Sequence, residues 1–362
     1  MRPLLAVEAV PGPAFYDAIR AALAGTGPAV LPVSSDPAER ARVVAAVRPD
    51  DGLDDEEVCL VVPTSGSTGT PKGVLLTAAC LTASGRAAVE RLGGPGAWTL
   101  ALPVTHIGGL QVLLRSLATG AEPETGTFAD ATARLAGPRR FTSLVPTQLT
   151  RLLVTAPDAL AVYDAVLLGG AAAPPALLER ARSAGVRIVT TYGMSETSGG
   201  CVYDGVPLTG VKVEVGERVA LSGAVVARGY RSGEAGFDGD RFTTSDVGEL
   251  RGGLLVVVGR ADDLVVTGGE KVAPAAVEAA LAEHPSVAEV AVVGVPDPEW
   301  GARVRAVVVL RPGTALTLEQ ARDHVGKRWG RVSAPRELWV LDSLPLLAGG
   351  KVDRGALRAL KP

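Results

Sequence analysis

From about residue 58 the chain alternates short apolar, β-rich runs with stretches of helical spacing. VCLVV precedes a helical span at 77–92, WTLAL precedes 109–118, FTSLV precedes 146–154, AVLLGG precedes 174–184, and VRIVTTYG closes the series. This rhythm predicts an α/β domain with a mostly parallel sheet, and the loops at the carboxyl ends of such strands are the expected binding edge. Between about 205 and 258 the pattern shifts to VKVEV, RVALSG, VVARGY and LLVVVGR, short alternating segments divided by glycine, which predict a small antiparallel β subdomain. After Gly259 a helix starts at Pro274, carries Val277, Ala280, Leu281 and His284 on one face, and stops at Pro285. Strands near 287–294, 302–310 and 337–341 and a helix near 317–329 complete a smaller α+β unit. The expected organisation is a large domain over 1–258, a hinge at 259–262 and a small C-terminal domain over 263–362.

A chain of 362 residues is long enough for two such units. Its 44 glycines and 26 prolines break the apolar stretches every few residues, the texture of a loop-rich enzyme scaffold. With a net charge of only -3, and with Arg and Lys dispersed among Asp and Glu, nothing marks a nucleic-acid surface. The opening MRPLLAVEAVPGP interrupts any apolar leader with Glu8, Pro11 and Pro13, and no run approaches the roughly 18 apolar residues of a membrane span. A cytoplasmic protein without membrane insertion is expected. Cys59, Cys80 and Cys201 lie far apart without a CxxC pair, and only His106, His284 and His324 could join them, so a structural zinc site is not expected. The cysteines read as small buried hydrophobes.

Chemistry concentrates first in VVPTSGSTGTPKGV, residues 61–74, where an apolar strand enters a loop of Thr, Ser, Gly and one Lys ahead of the next helix. Backbone N–H groups, hydroxyls and one ammonium together make a phosphate cradle. It is not a Walker A loop: Gly66 and Gly69 are three apart, Pro71 precedes Lys72, and Gly73 replaces the metal-binding hydroxyl. TSGSTGTPKG resembles the signature loop of the adenylate-forming superfamily, which includes acyl-CoA synthetases, peptide-synthetase adenylation domains and luciferases. The likeness continues in order through YGMSET at 192–197, TSDVGE at 244–249, GRADDLVVTGGEKV at 259–272 and GGKVDR at 349–354.

The resemblance implies an enzyme that joins a carboxylate, of aryl or short-chain acyl type, to the α-phosphate of ATP, expels pyrophosphate, and passes the acyl group to coenzyme A, the alternative being an adenylating module that forms no thioester. It implies that Thr64, Ser65, Gly66, Ser67, Thr68, Gly69 and Lys72 hold the β- and γ-phosphates, and that Glu196 ligates the Mg²⁺ brought by the triphosphate. Gly169, Gly170 and Ala171 would let backbone approach the purine, Tyr192 would lie against it, and Gly193, Met194 and Ser195 would complete that wall. Asp246 would accept from the ribose hydroxyls and Arg260 would donate to the sugar or to phosphate. Taken alone, Tyr192 reads equally as a core aromatic and Asp246 as a turn cap. Lys351 would bridge the carboxylate and the α-phosphate, neutralising charge that grows in the transition state. By the same likeness, Asp262 is the hinge on which the mobile small domain rotates, and Gly268 and Gly269 would line the pantetheine passage. Lys271 has no assigned role and reads as exposed.

In 102–120, LPVTHIGGLQVLLRSLATG, Leu110, Leu113, Leu114 and Leu117 repeat at helical spacing and leave Gln111 and Arg115 together on another face. That pattern allows either a solvated arginine or one aimed at a site. LPVTHIGGLQVLLRSL, FTSLVPTQLTRLL and YGMSETSGGCVYDG look like the o-succinylbenzoate-CoA ligases of menaquinone biosynthesis, whose substrate carries a second carboxylate. This narrower resemblance implies that Arg115 pairs with that carboxylate and that His106 stands near the mouth of the acyl pocket, either contacting substrate or serving as a structural histidine. It also implies a large domain shortened before Thr64 relative to the family, with the walls and the homodimer contacts of that lobe altered. Lys351→Ala is expected to abolish carboxylate-dependent pyrophosphate release while sparing thioester formation from supplied acyl-adenylate. Equal loss of the two half-reactions in a coupled assay would contradict that division.

Overall fold

The computed structural model describes residues 1–65, 71–346 and 352–360. Two sheets, not one, carry the large α/β part. In the first, Leu4–Glu8, Ala29–Val33 and Val58–Ser65 run parallel, and Pro71–Thr77 and Gly229–Tyr230 add to them antiparallel. In the second, Ala97–Thr99, Arg140–Leu144, Ala165–Leu168 and Ile188–Met194 are parallel, as their alternation with helices predicts, and Gly199–Tyr203 and Val206–Pro207 extend it antiparallel.

Three departures from the pattern reading matter. The phosphate loop does not lead into a helix: PKGVLLT forms a strand that returns beside Val58–Ser65, with Thr64 opposite Lys72, and the helix Ala78–Arg91 begins only after it. Lys72 therefore stands in a strand and not at a helix N-terminus. VVARGY does not join the antiparallel subdomain; Gly229 and Tyr230 instead pair with Leu75 and Val74. VKVEV and RVALSG do form antiparallel strands, Lys212–Val215 and Val219–Ser222, in a sheet completed by Arg241–Thr243 and Phe237–Asp238, which the pattern did not mark, and LLVVVGR pairs in a separate hairpin of Asp246–Arg251 and Leu254–Arg260. Third, the first 57 residues are folded into strands and proline-started helices, Pro13–Leu23 and Pro37–Val47. Phe15, Tyr16, Ile19 and Ala22 bury one face of the first helix, and Asp36 caps the second through the Glu39 N–H.

The helix Ile107–Leu117 is buried on more than its leucine face: Gln111, Arg115 and Ser116 are buried beside Leu110, Val112 and Leu113. It lies between Ala78–Arg91 and the second sheet. Arg115 is thus not a solvated cation.

The C-terminal sheet takes Glu270–Val272, Val265–Thr267, Gly301–Leu310 and Val287–Asp297 in antiparallel order, with Glu337–Val340 parallel to Gly301–Leu310. Val277, Ala280 and Leu281 of the helix Pro274–Ala282 bury against it, whereas His284 lies past the helix end, edge-on to His324. Arg305, 5% exposed, donates to Glu337 at 2.5 Å and to the carbonyls of Leu357 and Leu360, and stacks on Trp339. It thereby ties the helix Arg354–Ala359 to the sheet.

All three cysteines are free and buried. Burial pushes the thiols of Cys59 and Cys201 up to about 12. No helix among the described residues is long and apolar enough to cross a membrane.

Arg305→Ala leaves Glu337 with Arg303 but without its Arg305 partner, takes the Arg305 donor from two carbonyls, and should cost about 3 kcal/mol of stability in urea denaturation. Burial raises the Glu337 carboxyl pKa, but hydrogen bonds and charge from Arg305 and Arg303 lower it by more. The stability this pair provides is therefore present at neutral pH and lost as the pH falls through the lowered value.

Candidate active site

A cleft of about 720 Å³ opens where the two sheets of the large part face each other. One end contains Thr64 and Lys72 from the returning hairpin, with Glu196 and Tyr230 beside them. The strand Gly229–Tyr230 brings the Tyr230 hydroxyl to Glu196, donating to Oε1 at 2.7 Å. Glu196 is 9% exposed in a short turn, Ser195–Thr197, that follows the strand Ile188–Met194. Lys72 forms an ion pair with Glu234 and lies 5.2 Å from the Tyr230 ring centroid. Burial and then the Glu196 carboxylate push the Tyr230 phenol above its ordinary range, so it stays a donor.

Gly169, Gly170, Gly193, Met194 and Ser195 form the next part of the wall, at the carboxyl ends of parallel strands. A Cβ at Gly169 would meet the Thr191 hydroxyl, and one at Gly193 would meet the Gly199 carbonyl, so neither position has room for a side chain. Asp246 and Arg260, opposite one another in their hairpin, complete this end. Tyr192 is not part of the wall itself; its hydroxyl donates to Asp246 at 2.6 Å from behind. Burial and the Asp246 charge hold that phenol protonated as well.

At the other end stand His106 and Arg115. The Thr105 hydroxyl lies 2.9 Å from His106 Nδ1. Arg115 is 4% exposed, and its guanidinium carbon is 5.0 Å from the Trp98 ring centroid. Its Nε has no hydrogen-bond partner, and among the described residues no carboxylate pairs with it.

Several expected residues lie elsewhere. Ala171 is exposed and outside the cleft wall. Gly268 and Gly269, both at positive φ, make the two-residue turn between Val265–Thr267 and Glu270–Val272, away from the cleft. A Cβ on Gly268 would meet the Trp300 ring, which accounts for that glycine structurally. Asp262 lies in the turn Ala261–Asp263, just past the last cleft residue, Arg260. Lys271 is exposed. Ser65 pairs through its backbone with Pro71, while Gly66, Ser67, Thr68, Gly69 and Lys351 fall outside the described residues.

Pattern reading missed Tyr230, Glu234 and Gln111 as parts of the site, and also Ser34, Glu39 and Arg42, by which the N-terminal segment reaches the cleft. The one available signal was Gln111, which shares with Arg115 the face that the leucines leave.

Residues 19–228 match the AMP-binding enzyme family, and 276–351 match the AMP-binding enzyme C-terminal domain. The chain belongs to the AMP-binding enzyme family. This AMP-binding enzyme is 47% identical, over 94% of its length and 93% of the relative's, to a probable 2-succinylbenzoate–CoA ligase of Mycobacterium tuberculosis. Among solved structures it is similar to o-succinylbenzoate CoA synthetase from Bacillus subtilis in complex with the acyl-adenylate intermediate, with TM-score 0.77 and 26% identity, covering 99% of this chain and 83% of that one. The same Bacillus enzyme in complex with ATP and magnesium ion gives TM-score 0.72 and 29% identity, covering 83% and 70%.

Tyr230→Phe removes only the hydroxyl that serves a buried carboxylate in this AMP-binding enzyme. Urea denaturation of the variant should read a loss of about 2 kcal/mol, with the far-UV circular dichroism unchanged.

Proposed function

We propose that the chain is an o-succinylbenzoate–CoA ligase, forming the acyl-adenylate from ATP and transferring the acyl group to coenzyme A, with release of pyrophosphate and AMP. The observation that carries this reading is Arg115. A guanidinium buried against Trp98 with no carboxylate beside it is costly unless a ligand supplies the anion. An aromatic acid with a second carboxylate does so, leaving its other carboxylate for activation, whereas a fatty acid would bring no second charge. The relative at 47% identity bears the matching name.

Lys72 would exchange Glu234 for the β- and γ-phosphates, and Thr64, Ser65, Gly66, Ser67, Thr68 and Gly69 would surround them. Among the described residues no three His, Cys, Asp or Glu side chains gather into a metal cage. The single buried carboxylate of Glu196, anchored through one oxygen by Tyr230, instead fits a largely hydrated Mg²⁺ carried in on the triphosphate. Held there by Glu196, such an ion would supply charge neutralisation at the phosphates. Asp246 would turn from Tyr192 to accept the ribose hydroxyls, with Arg260 donating beside it, and Gly169, Gly170 and Gly193 would border the purine. Lys351 would stabilise the charge shared by carboxylate and α-phosphate, delivered by rotation of the 263–362 domain about Asp262. His106 would border the acyl group at the mouth of its pocket.

Arg115→Ala should raise KM for o-succinylbenzoate by about a hundredfold, since a charge-assisted pair in a buried site is lost. Turnover of the variant at the wild-type KM, in a pyrophosphate-release assay, would refute this pocket assignment. Product mass after incubation with ATP, Mg²⁺, CoA and competing benzoates or fatty acids identifies the acid directly.

A further inference from the structure

Two buried polar atoms of the acyl end lack partners: Arg115 Nε and Gln111 Oε1. Their residues stand four apart on the helix Ile107–Leu117, so their side chains share a face. The orientation of the Gln111 amide is set by its other end. Nε2 donates to the Ser198 carbonyl at 2.7 Å and to the Leu81 carbonyl at 3.4 Å, which assigns the nitrogen and leaves the oxygen turned away.

The frame around that amide is rigid. The Ser84 hydroxyl donates to the same Ser198 carbonyl at 3.0 Å, and the Ser198 hydroxyl donates to the Val225 carbonyl at 2.7 Å. Ser198 sits at φ 54 and Gly199 at φ 105, and a Cβ on Gly199 would come within 3.1 Å of Gln111 Cγ. Gly85 supplies matching space from the facing helix: a Cβ there would lie 3.7 Å from Gln111 Oε1 and 3.8 Å from Arg115 Cγ. The orphan acceptor and the stem of the orphan cation thus border one small gap, beside the cleft that both residues line.

Resting on the ligase reading above, we propose that Gln111 is the positioning residue for Arg115: its Oε1 accepts from Arg115 Nε, so that the guanidinium presents its terminal nitrogens to the second carboxylate of the substrate. The pairing satisfies both orphan atoms at once. It also blocks rotation of a cation whose guanidinium rests against the Trp98 face. A neutral acceptor suits this task, because a carboxylate at the same place would pair with Arg115 and compete with the substrate anion.

Gln111→Met and Gln111→Glu test this in steady-state pyrophosphate release, with o-succinylbenzoate and ATP varied separately. Expected is a rise in KM for o-succinylbenzoate of about tenfold in Gln111→Met and a larger one in Gln111→Glu, with KM for ATP within about twofold of wild type. A purely structural role would act through Ser198 on the neighbouring Glu196 turn, so equal rises in the two Michaelis constants overturn the proposal. An o-succinylbenzoate KM left at the wild-type value overturns it too, and either variant alone suffices if the other does not fold. Wild-type enzyme that ignores o-succinylbenzoate is a different failure, one that overturns the ligase reading itself.

Discussion

Strand Pro71–Thr77 is held on both sides, with Val74 opposite Val62 on one neighbour and Tyr230 on the other, and this double pairing fixes the geometry of the cleft around Lys72. Register along one side sets Lys72 opposite Thr64. Register along the other delivers Tyr230, whose hydroxyl reaches Glu196 from the opposing sheet. A slip of one residue would turn each of these side chains to the other face. Sheet register therefore sets which side chains this part of the cleft presents.

Within that frame the charges are arranged by neutral donors. Tyr192 and Tyr230 each give a phenolic hydrogen bond to a cleft carboxylate, and burial keeps both phenols protonated. Such donors orient Asp246 and Glu196 without cancelling their charge, which a lysine or arginine in the same places would do. The cations are distributed differently: Lys72 already has an exchangeable carboxylate in Glu234, while Arg115 has an aromatic face and no anion among the described residues. One end of the cleft is balanced and the other is charged.

Much of this architecture was legible from the chain. The alternation of VCLVV, FTSLV, AVLLGG and VRIVTTYG with helical spans found the parallel strands, and Pro274 marked the start of the C-terminal helix. Motif residues converged as well, since Thr64, Lys72, Glu196, Asp246, Arg260, His106 and Arg115 border one cleft. What was not legible depends on long-range pairing. VVARGY alternates like its neighbours, and only its pairing with Pro71–Thr77 separates it from them. PKGVLLT reads as a loop leading to a helix because its proline and glycine obscure a short strand. The small residues of Ala171, Gly268 and Gly269 carry no sign of direction, and turn geometry accounts for two of them.

The three buried thiols have a practical side. Cys59 and Cys201 lie in the strands Val58–Ser65 and Gly199–Tyr203, one in each of the sheets that face across the cleft, and Cys80 lies in the helix Ala78–Arg91. Alkylation requires a thiolate in contact with solvent, so a maleimide can reach these sulfurs only when that part of the molecule opens. The native chain thus contains its own set of opening sensors, all three within one buried cluster, and their labelling would record when that shared core becomes accessible.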